Sequence, residues 1–347
     1  MLNLTYLRIA SIVFLSALIS ACGSPSTDSE TNTSDVSIRF SDTPVDDLDV
    51  VMISVDKLIF NRSGEDIVID TFTSEELNII DSDTFQLNLL DFQGLESSLV
   101  LDSVILPVGD YQNLRIAVEV GENTYVQESG STEHKELKVP SGELKLGSFS
   151  VSNLSSQTFV IEFGLRQAMT YNPGPKRYIL KPRGVRIVRL ADASSISGNV
   201  DLTTPSCLPT EDSTLVNIAY LYKGHDLDAS LLGDVLVREE ELDSSESKIP
   251  GTDYDSEVAD NIIAPIVSSA IEANGNYFFS YLNEGNYTVA ISCNSQEDNA
   301  TIYDGITIPT PAGHIVELSL EKESNMSCDF IEGFEVGACS ELTLIPE

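Results

Sequence analysis

The stretch VSIRFSDTPVDDLDVVMISVDKLIF, residues 36–60, alternates apolar and polar side chains on both sides of a short acidic turn. Alternation with a period of two places successive side chains on opposite faces of a β-strand. The turn contains Pro44 and several aspartates, which are residue types that favour turns. The stretch therefore predicts two strands joined by a polar turn.

The same alternation continues through most of the chain. It recurs in EDIVIDTF, FQLNLLDF, YQNLRIAVEV, QTFVIEFGL and RYILKPRGVRIVRL, and a second series runs from SISGNVDL at Ser195 to HIVELSLE. Many short strands separated by turn residues are typical of β-sandwiches. We predict an all-β protein with two tandem antiparallel sandwiches, of immunoglobulin or transthyretin type, after a lipoprotein signal peptide. Helix is expected only at 95–102 and in part of 227–241.

The two halves share a local phrase. LPVGDYQNLRI at Leu106 and LNEGNYTVAI at Leu282 both place a glycine two residues before a tyrosine, and a strand follows. Glycine permits the positive φ of a tight turn, and the tyrosine hydroxyl can bond to nearby backbone while its ring packs at the core edge. Two unrelated hairpins would give the same phrase, so it supports two sandwiches without establishing a duplication.

The N-terminus resembles the signal of an exported lipoprotein. One positive charge, at Arg8, precedes about ten mostly apolar residues (9–18), whereas a membrane-spanning helix needs about 20. Ile19-Ser20-Ala21 before Cys22 resembles the lipobox of bacterial lipoproteins, so we predict that Cys22 is lipidated. An ordinary signal peptide with an incidental cysteine is the alternative. Residues 23–34 contain no aliphatic or aromatic side chain and are predicted to form a disordered tether.

By resemblance to enterobacterial sorting, the glycine after Cys22 directs the protein to the outer membrane of a Gram-negative bacterium, on a face that the sequence does not reveal. The bilayer is therefore one partner, reached through the acyl chains.

Acidic residues dominate the composition. The chain has 19 Lys and Arg against 55 Asp and Glu, a net charge of −36. The excess of acidic residues is larger in the second half of the chain. Residues 36–191 contain 14 basic and 23 acidic residues, whereas residues 192–347 contain 4 basic and 29 acidic residues. Phosphate groups are bound by Lys and Arg, so this charge argues against nucleic-acid binding.

Four cysteines remain after Cys22: Cys207, Cys293, Cys328 and Cys339. An even number in an exported protein predicts two disulfides, for which three pairings exist. We favour Cys207–Cys293 within the second sandwich and Cys328–Cys339 around a short C-terminal loop. A zinc site is disfavoured because no two of these cysteines have a two-to-four-residue spacing.

Two charged segments are candidates for ion or ligand binding. Asp42, Asp46, Asp47 and Asp49 crowd one turn and could supply oxygen ligands to Ca²⁺, the only cofactor considered; a polar turn in which aspartates bond their own backbone is the alternative. Residues 166–189 hold seven basic residues and no acid. Lys181, Arg183 and Arg186 are candidates for docking an anionic ligand, and internal pairing with the acidic turn and neighbouring strands is the alternative.

Other features favour binding or packing over catalysis. Tyr220 and Tyr222 share one face of a strand and are candidate glycan contacts if that face is exposed; hairpin packing is the alternative. The acidic segment 226–261 is predicted to be a solvated insertion; binding of cations or of a partner is the alternative. The three histidines lie in polar, turn-like contexts, and the common nucleophile, zinc and phosphate motifs do not occur. We therefore expect no enzyme activity.

Several phrases together resemble a known family. VSIRFSDTPVDDLDVVMISVDKLIF, LPVGDYQNLRI, LKVPSGELKL, FVIEFGLRQAM and YILKPRGVRIV resemble a bacterial lipoprotein family known only as a domain of unknown function, the domain-of-unknown-function 4382 family. SISGNV and NGNYFFSYLNEGNYTVAISC resemble the carboxypeptidase-regulatory-like module, a transthyretin-type sandwich of the carbohydrate-binding-like superfamily. The resemblance implies fold and address, and it supplies no catalytic residues.

The predicted organisation follows from these observations. It comprises a signal peptide (1–21), a lipidated cysteine and tether (22–35), a first sandwich (36–191), a second sandwich (194–321) with an acidic insertion (226–261), and a disulfide-closed tail (322–347). The predicted role is non-catalytic, as a structural, adhesion or protein-interaction lipoprotein of the cell envelope. A carbohydrate-binding surface lipoprotein is the first alternative, and a hydrolase is the second.

Overall fold

The structure of the protein is a computed structural model. This structure describes residues 32–43, 47–204, 207–208, 217–234, 262–293, 295, 298, 305–331 and 338–342. Cys22 and the predicted signal peptide lie outside the described residues. Within those ranges, no helix combines the length and the apolar composition that a membrane crossing requires.

Seventeen strands within the described ranges form the first sandwich. They are β1 (Thr33–Thr43), β2 (Leu48–Arg62), β3 (Glu65–Ile69), β4 (Phe72–Ser74), β5 (Ile79–Ser82), β6 (Phe85–Asn88), β7 (Ser98–Pro107), β8 (Gly109–Tyr111), β9 (Asn113–Val118), β10 (Tyr125–Glu128), β11 (His134–Lys138), β12 (Glu143–Lys145), β13 (Phe149–Val151), β14 (Ser156–Gly164), β15 (Met169–Asn172), β16 (Arg177–Leu180) and β17 (Val185–Arg189).

Eight further strands of the described part of the chain form the second sandwich: β18 (Ser194–Asn199), β19 (Ile218–Lys223), β20 (Val267–Ala270), β21 (Asn276–Leu282), β22 (Gly285–Ser292), β23 (Ile315–Leu320), β24 (Asn325–Asp329) and β25 (Ala338–Glu341). In the residues that the structure describes, helical structure is confined to α1 (Leu165–Ala168) and to 3-10 turns at Leu89–Asp91, Pro140–Gly142, Leu190–Asp192 and Ala229–Leu231. The helix expected at 95–102 is wrong, because residues 98–107 belong to β7.

The first sandwich pairs a four-stranded sheet, β17-β14-β1-β7, with a larger sheet in which β2 is central. The opening stretch of the sequence accounts for both sheets, because β1 lies in one and β2 in the other. The even-numbered residues of β1, Val36, Ile38 and Phe40, are fully buried in the core. β2 is long enough to pair with β10 near its start and with β9 and β3 near its end.

Most strand pairs are antiparallel, as predicted, but three pairs of distant segments are parallel: β1 with β14, β11 with β16, and β18 with β24. Parallel neighbours need a long connection, and each of these pairs is separated by a large part of its sandwich. Local alternation predicts the strands and cannot predict this pairing.

The second sandwich consists of the sheets β21-β18-β24-β25 and β20-β19-β22-β23. The disulfides Cys207–Cys293 and Cys328–Cys339 are confirmed. The second disulfide joins β24 to β25, so the segment predicted as a tail completes a sheet. At the other end of the described chain, β1 begins at Thr33, within the segment predicted as tether.

The shared glycine–tyrosine phrase forms the same turn in both sandwiches. Gly109 and Gly285 have φ values of 136° and 152°. The hydroxyl of Tyr111 donates to the Pro107 carbonyl at 2.9 Å, and that of Tyr287 donates to the Asn283 carbonyl at 2.7 Å. Each bond reaches back four residues while the ring is buried, so the predicted turn is confirmed at both places.

Candidate functional site

Buried polar contacts join the two sandwiches. Arg166, in α1 of the first sandwich, forms an ion pair of 2.6 Å with Asp298 of the second, and both side chains are 2% exposed. Arg166 Nε also donates to Ser268 Oγ at 3.0 Å. Gln167 exchanges two hydrogen bonds with Ser268, one to its hydroxyl and one from its backbone N–H. These partners are more than 100 residues apart in sequence, so the contacts fix one sandwich against the other.

A second buried contact uses an acid of the first sandwich. Glu162 in β14 accepts hydrogen bonds from Thr43 Oγ1 at 2.7 Å and from Ser280 Oγ of the second sandwich at 3.0 Å. Arg186 lies 4.0 Å from the same carboxylate and donates to the Ser280 carbonyl. Burial raises the pKa of Glu162, and Arg186 opposes that change. Burial likewise lowers the pKa of the Arg186 guanidinium.

A loop of the first sandwich, residues 92–96, is held beside the second sandwich. Ser41 Oγ donates to the carbonyls of Phe92 and Glu96, and Tyr281 of β21 donates to the Leu95 carbonyl at 2.6 Å. The Leu95 side chain is 65% exposed. The loop is therefore fixed through its backbone while it presents an apolar side chain to solvent.

Beside this loop lies the outward surface of β21, β18 and β24, which we name the open face. Ser197 lies between Phe278 and Ser327, its register partners on the two neighbouring strands. Asn199 Nδ2 donates to Asn276 Oδ1 at 2.9 Å. A groove of about 560 Å³ runs between Leu95 and this face, and its lining includes Ser197, Asn276, Phe278, Ser327 and Asp329.

The outward surface of the other sheet, β20-β19-β22-β23, is covered, and we name it the covered face. Tyr220 and Tyr222 are 0% exposed there. They form an apolar cluster with Leu232 and Ile308, against which Leu227 packs. Their hydroxyls donate to Asp298 and to the Gly233 carbonyl.

The candidate role of Tyr220 and Tyr222 as glycan contacts is therefore wrong, and the alternative stated for them, packing, describes the structure. The physical reason is that the described start of the segment predicted as a solvated insertion folds over the two rings. Most of that segment, residues 235–261, lies outside the described residues.

The predicted Ca²⁺ ligands have different surroundings. Asp42 is fully buried in the first sandwich, and burial together with the nearby Glu162 raises its pKa well above the ordinary value. Asp49 instead accepts hydrogen bonds from Ser129 and Gly130 in the turn after β10. Asp47 has a positive φ of 59°, and Asp46 lies outside the described residues, so Ca²⁺ binding stays a prediction.

The basic segment turns largely inward. Lys181 is 3% exposed, and Arg186 contacts Glu162 and Ser280 as described. Lys181 and Arg183 also interact with other groups of the protein. Burial of Lys181 and Arg186 favours internal pairing, the alternative stated for this segment, over docking of an anionic ligand.

One cluster of metal-ligating residue types occurs in the described part of the chain: Cys207, Cys293 and His314. The two sulfurs are bonded to each other in a disulfide. A cysteine binds a metal as its thiolate. Because the two sulfurs are bonded to each other, they are not metal ligands in this structure.

Sequence reasoning missed the open face and the contacts of Arg166. Alternation in NYFFSYL predicts that Phe278 lies opposite Tyr277 and Phe279, and this was the available signal. The position of Leu95 beside Phe278 had no local signal, because it depends on contacts between the two sandwiches.

The family model of a domain of unknown function, DUF4382, matches residues 33–182. This match lies within the first sandwich and supports the resemblance stated for that region. A comparison with curated proteins finds no match. The resemblance of the second sandwich to a carboxypeptidase-regulatory-like module stays a prediction.

Solved structures with some likeness include cell-adhesion and pilin proteins. A Bacteroides fragilis protein with a proposed role in cell adhesion is 9% identical, with 88% of this chain and 97% of that chain covered and a TM-score of 0.20. A streptococcal ancillary pilin is 10% identical, with 85% of this chain and 60% of the pilin covered and a TM-score of 0.18. The fimbrial anchor protein Mfa2 from Porphyromonas gingivalis is 7% identical, with 85% of this chain and 90% of Mfa2 covered and a TM-score of 0.18. At these values the likenesses carry no argument about function.

Proposed function

We propose that the chain is a lipid-anchored protein of the cell envelope with a non-catalytic role in adhesion or protein interaction. One observation carries the proposal: buried contacts of Arg166, Gln167 and Glu162 join the two sandwiches into one body. A rigid two-domain body displays a binding surface without having to order it on binding.

The surroundings of the histidines support a non-catalytic role. His134 stacks on Tyr125 with ring centroids 3.7 Å apart. His225 Nε2 contacts the Leu318 carbonyl at 2.8 Å. His314 is buried against Phe330, and burial lowers its pKa. Each ring serves packing or a backbone contact, whereas a catalytic base would be hydrogen-bonded to a nucleophile.

The proposed address depends on acylation of Cys22. Cells that produce the full chain would be labelled with a fatty acid and separated into soluble and membrane fractions. We expect label and membrane association for the wild type and neither for Cys22→Ser. An unlabelled wild-type protein would contradict the anchor. Separation of the membrane fraction into inner and outer membranes tests the predicted outer-membrane location.

The proposed role is tested by attachment. Producing cells, cells lacking the protein and cells producing Cys22→Ser would be compared for attachment to one another and to host-cell surfaces. We expect attachment to require the anchored wild-type protein. Unchanged attachment without the protein, or turnover of ester, peptide or glycoside substrates by the purified chain, would contradict a non-catalytic adhesive role.

A further inference from the structure

We propose that the groove between Leu95 and the open face binds a neutral oligosaccharide. This inference names a ligand class for the binding role proposed above and rests on it. Its volume of about 560 Å³ lies within the range of about 300–1,000 Å³ that is usual for small-molecule sites.

The open face presents the chemistry that a sugar ring requires. Phe278, half-buried, lies on the edge strand β21 opposite Ser197 of β18, and Ser327 of β24 follows on the far side of Ser197. A sugar ring has an apolar face of C–H groups, which can pack on Phe278 and Leu95. Its rim of hydroxyls can reach Ser197, which both donates and accepts hydrogen bonds, and Ser327, whose oxygen can accept while its O–H donates to Asp329.

The polar side chains are held in place and keep groups for a ligand. Asp329 Oδ1 accepts from the Asn199 backbone N–H and from Ser327 Oγ. Asn276 Oδ1 accepts from Asn199. A carboxylate has a second oxygen and an amide has two N–H donors, so Asp329 and Asn276 can each bond a sugar hydroxyl while they remain fixed.

Charge selects against acidic ligands. The residues that line the groove, all of them described, include the acids Glu272 and Asp329 and no lysine or arginine. An anionic sugar would bring a charge beside two carboxylates of the same sign, in a chain whose net charge is −36. A neutral sugar avoids this repulsion.

Topology argues against an added peptide strand over this face. β18 is central in its sheet and pairs with β21 on one side and β24 on the other. Its backbone groups are therefore occupied, whereas a peptide bound by strand addition needs free backbone groups at an edge. A ligand that lies over β18, rather than along the edge strand β21, must be recognised by side chains.

The test uses an array of immobilised neutral, sialylated and sulfated oligosaccharides, followed by titration of the best binder in solution. The mature full-length wild type would be compared with Phe278→Ala and Leu95→Ala. Tyr125→Ala and Leu154→Ala are matched controls, because Tyr125 is a half-buried ring of the first sandwich and Leu154 is 46% exposed. Each variant's unfolding curve would confirm that it folds.

We expect the wild type to retain neutral oligosaccharides. Phe278→Ala and Leu95→Ala should each weaken binding about tenfold or more, since each removes apolar contact area, and the controls should bind as the wild type does. A blank array, selective retention of acidic sugars, or equal binding by all variants would overturn the proposal. If the array is blank while cells with the anchored protein still attach, the oligosaccharide inference fails and the adhesive role stands. If the array is blank and cells with the anchored protein attach no better than cells lacking it, both proposals are contradicted.

Discussion

The two outward faces of the second sandwich differ in what covers them. The covered face carries Tyr220 and Tyr222, and segment 227–232 together with Arg166 and Asp298 removes it from solvent. The open face carries serines, asparagines and Phe278 and borders a groove. Burial of the two tyrosines is favoured by the hydrophobic effect. The number of aromatic residues on a strand therefore does not identify a ligand surface. The segments that pack over the strand determine whether those residues are exposed to a ligand.

The largest effect is expected at the ion pair beside the covered face. Arg166→Met should cost about 3–5 kcal/mol in the free energy of unfolding, because it leaves Asp298 buried without its charged partner. Arg177→Met is the matched control: Arg177 pairs with the exposed Glu136 at 3.7 Å, and such surface pairs contribute about 0–1 kcal/mol. Urea unfolding measures both, and equal costs would contradict the difference in burial.

A smaller loss is expected within the covered face itself. Tyr222→Phe removes the 2.8 Å hydrogen bond to the Gly233 carbonyl and leaves that acceptor buried. The expected cost is about 1–3 kcal/mol. Tyr125→Phe, on the surface of the first sandwich, should change the free energy of unfolding by less than about 0.5 kcal/mol. A neutral Tyr222→Phe would show that water reaches the covered face.

The pH dependence of stability tests the base of the loop that borders the open face. Asp42 N–H donates to the Phe92 carbonyl of that loop, and burial raises the pKa of the Asp42 carboxyl. A raised folded pKa means that the stability contributed by this group is fully present below its unfolded pKa of about 3.9 and is lost as the pH rises through the folded value.

Asp42→Asn removes this loss. We therefore expect the variant to be more stable than the wild type at pH 7, with a difference that shrinks as the pH falls toward about 4. The difference amounts to about 1.4 kcal/mol for each unit by which the pKa is raised. Urea unfolding of both proteins between these pH values measures it, and a difference independent of pH would contradict burial of the charged form.

The smallest effect on stability is expected on the open face. Phe278→Ala should cost about 1–2 kcal/mol, because part of the ring remains exposed and full burial of a phenyl ring contributes about 1.5–3 kcal/mol. Urea unfolding gives this value. A loss as large as that of Arg166→Met would show that the open face is part of the core.

Local sequence patterns predicted the features that depend on neighbouring residues. Alternation gave the strands, and the glycine–tyrosine phrase gave two turns that the structure reproduces. Even cysteine number and position gave the two disulfides. Local patterns did not predict features that depend on residues far apart in sequence: the parallel pairing of β1 with β14, the packing of segment 227–232 over Tyr220, and the contact of Arg166 with Asp298, 132 residues away. No local period carries information about such contacts.

The central claim is that buried polar contacts make one body of the two sandwiches, with the groove at their junction. Differential scanning calorimetry of the mature chain with its disulfides intact tests it most directly. We predict one transition whose calorimetric enthalpy equals its van't Hoff enthalpy, as for a two-state unit. Two separate transitions, or a van't Hoff enthalpy well above or below the calorimetric one, would contradict the claim.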